Sequence, residues 1–415
     1  MAYTETTRTG YGRRLGNSLK NIIVGLVLLV AGTFTLFWNE GNYVKTKKAL
    51  NEAAAEVVAL VDINTINPEF EGKFIHASGF ASPQDSIYDN MLGVRELAIG
   101  LSRKVEYYQW VEHSETETVQ NMGGSEETIT TYHYKKEWSS SPINSLDFHD
   151  PEYRNENFVL AELPDKEILN TNVHFGAYKL PEFILQLIQN STPAKINLSK
   201  EQNEILEKEA EKVRLSAKKR VRKSIEPSDN DEEQEKPKMT HVNDNVLYIG
   251  KSFNKPGVGD VRVTVEKTEP TVISLLASVK GNSFEMYKAS NGRTVVEVAK
   301  GEVSAQQMFE AAHADNEEMT WGLRMLGAIL IITAIRTMFG FVSMLFKVVP
   351  FLGNIVEKGV YVVAGVVGIA WSLIVIATAW LFYRPVIAIL LILIIIGIFV
   401  LLKRRKSKEP PLEQV

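Results

Sequence analysis

The stretch NIIVGLVLLVAGTFTLFW, residues 21–38, decides how the rest of the chain is read. It holds no charged residue and is close to the roughly 20 apolar residues a helix needs to cross ~30 Å of hydrocarbon. Arg8, Arg13, Arg14 and Lys20 precede it, as basic residues precede a secretory signal. The apolar run is too long for such a signal, however, and FWNEG (residues 37–41) makes a poor cleavage site. The stretch is therefore predicted to stay in place as a membrane anchor.

A second apolar block runs from residue 321 to 402, and AWLFYRPV (residues 379–386) divides it. Pro385 lacks an amide proton and disfavours helix at Arg384, while Tyr383 and Arg384 suit the headgroup layer, so an interfacial hairpin is expected there. This gives four spans: 21–38, 321–346, 359–382 and 386–402. The arm 1–20 and the tail 403–415, with KRRKSK at 403–408, are basic, and Lys347 and Lys358 fall between the second and third spans. The positive-inside bias then places both termini in the cytoplasm and residues 39–320 on the opposite side, periplasmic or extracellular in a bacterium and lumenal in a eukaryote.

The middle region reads as mixed α and β. The first helix should continue through NEAAAEVVAL (residues 51–60), whose Ala, Glu and Leu favour it. RKVEYYQWVEH (103–113) and ETITTYHYKKEW (127–138), rich in aromatic and β-branched residues, flank the glycines of NMGGSE (121–126) and predict a long β-hairpin. Alternating Val261, Val263 and Val265 predict a strand with one buried face, and TVISLLASV (271–279) and TVVEVAKG (294–301) read as further strands. Ser199 with Gln202 forms a capping box, opening a helix whose narrow apolar stripe holds Ile205, Leu206, Ala210, Val213, Ala217 and Val221. A flexible acidic loop, 226–238, follows and interrupts one domain rather than dividing two. VSAQQMFEAAH (303–313) predicts a short helix capped by Ser304. The fold class is thus an α+β membrane protein, one transmembrane helix N-terminal and three C-terminal, around a large β-rich extracytoplasmic or lumenal domain.

Composition narrows the function. The 415 residues contain no cysteine, which excludes disulfides, zinc–thiolate sites and thiol catalysis. A net charge of −4, with no basic reading module, gives no ground for nucleic-acid binding. The seven histidines are dispersed and none belongs to an HExxH, GxSxG or Walker pattern. His133, between tyrosines on a predicted strand, is expected in a cross-strand aromatic contact rather than as a metal ligand. No catalytic, cofactor-binding or metal residue is predicted.

Two features of the spans stand out. Arg336 lies inside the second apolar run, where a charge is costly and either lines a watery path or snorkels to the interface. Ala364, Gly368 and Ser372 recur every four residues and form a small-residue stripe for close helix packing, within the bundle or between chains.

Short motifs along the whole chain carry a resemblance: NEG (39–41) with Lys45 and Thr46, EGKFIH (71–76), VEYYQWVE (105–112), EWSSSPINSLDF (137–148), VGDVRV (258–263), SAQQMF (304–309), TWGLR (320–324) and WLFYRP (380–385). In order and spacing they resemble the LUMA, or transmembrane protein 43, family of animal nuclear and endoplasmic reticulum membranes and of bacteria. The acidic loop is longer than expected for the animal proteins. The resemblance implies one N-terminal span, a lumenal domain and three C-terminal spans. It further implies a non-enzymatic membrane scaffold that forms homo-oligomers and, in animals, contacts lamins and emerin-type proteins at the nuclear envelope; in a bacterium only a membrane-organising role carries over. The alternative is an oligomeric ion channel, with Arg336 on the path and Glu357 near one mouth.

Overall fold

A computed structural model describes residues 3–155, 164–222 and 238–385, together with 389 and 393. The predicted loop 226–238, save Lys238, and the fourth span 386–402, save Ile389 and Leu393, lie outside the described residues. The chain forms two compact units. One is β-rich (Met1–Thr6, Glu52–Glu117 and Thr128–Glu310) and the other helical (Thr7–Asn51, Thr118–Glu127 and Ala311–Val415).

Two large sheets, with two small two-stranded ones beside them, build the β-rich unit. The larger has along its main path the strands Tyr3–Thr9, Glu126–Ser139, Gly100–Gln120, Val261–Thr268, Val246–Ile249 and Thr240–Asn243, with the last residues of the first strand and the hairpin tip, 118–127, belonging to the other unit. Val261 and Val263 sit opposite Tyr107 and Val105, and all four are buried on one face with Leu101, Leu247 and Ile249. The second sheet centres on Phe74–Pro83 paired with Thr271–Lys280 from Thr271↔Ala81 to Ser278↔Phe74. Every residue from Ile273 to Val279 is buried, so this strand reads as a continuous apolar run instead of an alternating one because both of its faces are covered. In both sheets, strands from before residue 223 pair with strands from after residue 237.

The helix α3, Lys200–Arg222, follows the long α1 at Tyr11–Glu56 and the short α2 at Glu182–Leu185. Its capping box forms as the sequence dictates: the Ser199 hydroxyl accepts from the Gln202 amide at 3.1 Å and the Gln202 side chain accepts from the Ser199 amide at 2.8 Å. Leu206 and Ala210 are buried, but Ile205 is exposed, so the stripe is narrower than predicted.

The helical unit contains most of α1, most of α4 (Ala305–Phe346) and α5 (Pro350–Tyr383). All three are long and apolar enough to cross a membrane, which makes this an integral membrane protein. The predicted short helix at 303–313 and the second span are one helix, since no proline or chain-breaking pair separates Ser304 from Trp321 and the intervening Ala, Glu and Met favour helix. The Ser304 cap forms, its hydroxyl accepting from the Gln307 amide at 3.3 Å. Likewise α5 starts at Pro350, where proline suits the first turn, rather than at 359. It ends at Tyr383 with Arg384 as its cap, as the FYRP sequence requires. The three helices approach closely at glycines: a Cβ at Gly32 or Gly25 would overlap α4, and one at Gly368 would reach within 3.0 Å of the Ile332 backbone.

The tip of the hairpin, 118–127, also belongs to the helical unit. Arg14 is buried there, donating to the Gly124 carbonyl at 2.7 Å and pairing with Glu126 at 2.6 Å, and the Gly123 amide donates to the Val348 carbonyl at 3.1 Å.

Candidate functional site

Three motifs that lie far apart in sequence meet at one end of the helical unit: NEG on α1, TWGLR on α4 and WLFYRP on α5. Glu40 is fully buried and takes a bidentate contact from Arg324, Nε to Oε1 at 2.6 Å and Nη2 to Oε2 at 3.0 Å. A buried carboxylate is tolerated only when its charge and lone pairs are met, and the planar guanidinium fork meets both oxygens at once. Next to it the Asn39 side chain donates to the Thr320 carbonyl at 3.0 Å, and that of Asn316 donates to the Tyr43 carbonyl at 3.3 Å. These bonds clamp α1 to α4 over successive turns. Gly41 is required by its neighbour, because any side chain there would overlap the Tyr383 ring. Phe37 completes the contact with α5, its ring 5.5 Å from Phe382 and 5.4 Å from Tyr383.

The predicted features of the spans fall around this knot. Tyr383 is the wedge on Gly41, and Arg384 lies over the rings of Trp380 at 4.7 Å and Tyr43 at 5.7 Å. Pro385 follows just outside α5. Ala364 is buried with Leu36, Ile331, Ile335 and Val375, Gly368 abuts Ile332, and the buried Ser372 hydroxyl bonds back to the Gly368 carbonyl at 2.7 Å. The stripe is therefore spent on α4 within the chain. Arg336 is exposed on the bundle with its guanidinium 3.7 Å from the centre of the Tyr361 ring. Glu357 pairs with Lys347 at 2.8 Å.

A second knot forms in the β-rich unit from VEYYQWVE and EWSSSPINSLDF. Glu112 accepts from the Tyr134 hydroxyl at 2.7 Å, from the His149 amide at 2.7 Å and from His149 Nδ1 at 3.0 Å. Burial pushes its carboxyl up, but the bonds from Tyr134 and His149 outweigh that and hold it below the usual carboxylate range. Burial together with the Glu112 bond pushes Tyr134 up to about 12. The His149 ring stacks on Tyr132 at 3.7 Å, and Tyr134 on Tyr153 at 4.1 Å. His133 differs from the expectation: its cross-strand partner is Glu115, at 3.8 Å, and the aromatic stacking falls to His149 instead. Gln109, fully buried, donates to the Ser141 carbonyl and accepts from the Ile143 amide, which fixes the SSSPIN turn.

VGDVRV closes a third. Asp260 accepts from the Tyr248 hydroxyl at 2.5 Å and from the Gly257 amide at 2.7 Å. Burial raises the carboxyl of Asp260, and burial beside that carboxylate raises Tyr248. Arg262 pairs with Glu106 at 2.7 Å and stacks over Trp138 at 4.4 Å. Neither Glu40–Arg324 nor Glu112–His149 was singled out by the sequence reading, although Glu40, Arg324 and Glu112 lie in quoted motifs and His149 directly follows one. Partners 284 and 37 residues apart leave no local spacing to find.

No solved structure matches the chain. Curated relatives do. The Transmembrane protein 43 of Rattus norvegicus is 27% identical over 94% of this chain and 90% of its own length. That of Homo sapiens is 26% identical over 93% and 90%. A Transmembrane protein 43 homolog of Drosophila melanogaster is 28% identical over 89% and 91%. The profile of the Transmembrane protein 43 family matches residues 107–385, which include the second knot, all of the third but Glu106, and the α4 and α5 members of the first. With that match covering more than half of its length, the chain belongs to the transmembrane protein 43 family.

Proposed function

We propose that this protein is a non-enzymatic, multi-pass membrane scaffold whose β-rich unit is a binding module and whose helices anchor it and self-associate. One observation carries the reading: three carboxylates of the quoted motifs, Glu40, Glu112 and Asp260, are consumed in holding the frame. Glu40 and Arg324 saturate each other, Glu112 accepts three hydrogen bonds, and Asp260 accepts two. A catalytic carboxylate needs a lone pair turned to substrate; these are turned to the protein. The partners expected are other envelope or membrane proteins and further copies of the chain, lamin- and emerin-type proteins in animal relatives. Because the small-residue stripe is occupied by α4, self-association would use another face.

The charge bias expects both termini in the cytoplasm and residues 39–320 on the opposite side; strand Tyr3–Thr9, paired with Glu126–Ser139 in the larger sheet, and the hairpin tip bonded to Arg14 instead favour the first residues and that hairpin sharing one face. The channel alternative would have Arg336 face water along a path. Its stacking on Tyr361 supports an interfacial anchor instead: Trp321 to Arg336 spans roughly 22 Å of helix and Tyr361 to Tyr383 roughly 33 Å, which brackets a hydrocarbon layer of ~30 Å.

Crosslinking in native membranes followed by mass spectrometry tests the proposal. A discrete multimer, or a partner joined through lysines of the β-rich unit, is expected. A strictly monomeric chain with no crosslinked partner would overturn it, and a conductance in planar bilayers that Arg336→Leu abolishes would favour the channel.

A further inference from the structure

The cations at the end of α5 are not used by the scaffold. Arg384 is framed by Trp380 of its own helix and Tyr43 of α1. Lys47, one turn along α1, brings its ammonium to 5.7 Å from the same Tyr43 ring and 3.4 Å from its hydroxyl. Among the described residues, neither cation has a carboxylate within ion-pair distance. Glu40 is already saturated by Arg324, and Glu317 is engaged by the Tyr43 hydroxyl at 3.3 Å. Lys47 thus stands at the hydroxyl end of the ring, where Glu317 also bonds, and Arg384 stands 5.7 Å from the ring centre with no ion-paired carboxylate among the described residues, so a bound anion chiefly offsets the charge of Arg384.

The position of this pair says what carries the anion. Arg384 lies just beyond the last turn of an apolar helix, beside Phe382, which is 67% exposed, while Tyr43 and Lys47 lie roughly 7 and 13 Å along α1 beyond the exposed Trp38. Exposed aromatics at the end of a span mark the headgroup boundary. The wedge of Tyr383 on Gly41 fixes the end of α5, and with it Arg384, against α1. We propose that Arg384 and Lys47, framed by Tyr43 and Trp380, bind the phosphate of an anionic phospholipid whose acyl chains run along Phe382 and the apolar face of α5. The phosphate chemistry is shared with free phosphate; the apolar surroundings favour the lipid.

Native mass spectrometry of the full-length protein in a neutral detergent tests this, with phosphatidylglycerol, phosphatidylcholine and inorganic phosphate as probes. Phosphatidylglycerol adducts should form at lower concentration than phosphatidylcholine adducts. Lys47→Gln and Arg384→Gln should each weaken the phosphatidylglycerol adduct roughly fivefold and the zwitterionic phosphatidylcholine adduct by less, whereas Arg384→Lys should keep most of the preference. Lys47 is an exposed side chain, so its variant reads binding without loss of fold. Equal affinity for the two lipids, or a preference that survives in both glutamine variants, overturns the site. Displacement of phosphatidylglycerol by millimolar inorganic phosphate overturns the lipid assignment in favour of a small anion.

Discussion

Glu40 and Arg324 show what a single residue does in this protein. Arg324→Leu strands a fully buried carboxylate and is expected to cost about 3–5 kcal/mol, whereas Glu40→Gln costs less, because Arg324 is part-exposed and can turn toward water. The double variant should lose less than the sum of the two, measured as thermal unfolding in detergent; additive losses would mean that the pair is not coupled. Glu112 makes the complementary case outside the membrane. Its carboxyl is held below its unfolded value, so the stability it contributes is present above the ordinary carboxylate range and is lost as pH falls through the folded value. Near-ultraviolet circular dichroism should show the stacked His149–Tyr132 and Tyr134–Tyr153 signals weakening on the acid side of pH ~4. In Glu112→Gln that acid-dependent part should be gone and the signal already reduced at neutral pH. An unchanged acid profile in the variant would remove Glu112 from the account. Residues whose partner is local were legible, as Ser199 with Gln202 shows. Those whose partner arrives through tertiary structure were visible only as unexplained motif letters.

Elements were legible where one physical rule governed them. Period-two valines gave the strand Val261–Thr268, paired glycines gave the hairpin turn, and Pro385 gave the end of α5. Rules that depend on a neighbour misled: α4 was divided because the polar segment before Trp321 has no membrane to cross, yet nothing in it stops a helix. Packing between helices was half visible. The stripe at Ala364, Gly368 and Ser372 was found, but the α1–α4 seam at Gly25 and Gly32 was not, since those glycines sit at a seven-residue spacing in a run of uniformly apolar residues. Gly368→Val tests the seam between α4 and α5. It forces the Ile332 backbone to shift and should cost about 1–3 kcal/mol, while Gly365→Val, with open space around it, should be close to neutral. Were the stripe a contact between chains instead, Gly368→Val would change the oligomer distribution and leave the thermal midpoint in place.

At the scale of the whole molecule, hydropathy divides the chain and charge orients it, but neither sees the hairpin tip. Charge bias alone would send all of residues 39–320 across the membrane from the arm. The buried pair of Arg14 with Glu126, together with the main-chain bond from Gly123 to Val348, instead ties residues 123–126 to the arm and to the turn between α4 and α5. The absence of cysteine makes this directly measurable, because any introduced thiol is the sole label. Cysteines at Arg8, Met122 and Ser290, each read with a membrane-impermeant maleimide on sealed vesicles and on everted ones, report three positions on one footing. Arg8→Cys and Ser290→Cys should react from opposite faces, and Met122→Cys, whose native side chain is 78% exposed, should react from the face of Arg8. That result would require the polar strands leading to the tip to be sheathed by protein or water wherever they pass hydrocarbon depth, since an unsheathed strand cannot satisfy its backbone there. Reaction of Met122→Cys from the face of Ser290 would show that the Arg14–Glu126 pair does not form in the membrane, and the orientation would then rest on the charge bias unamended.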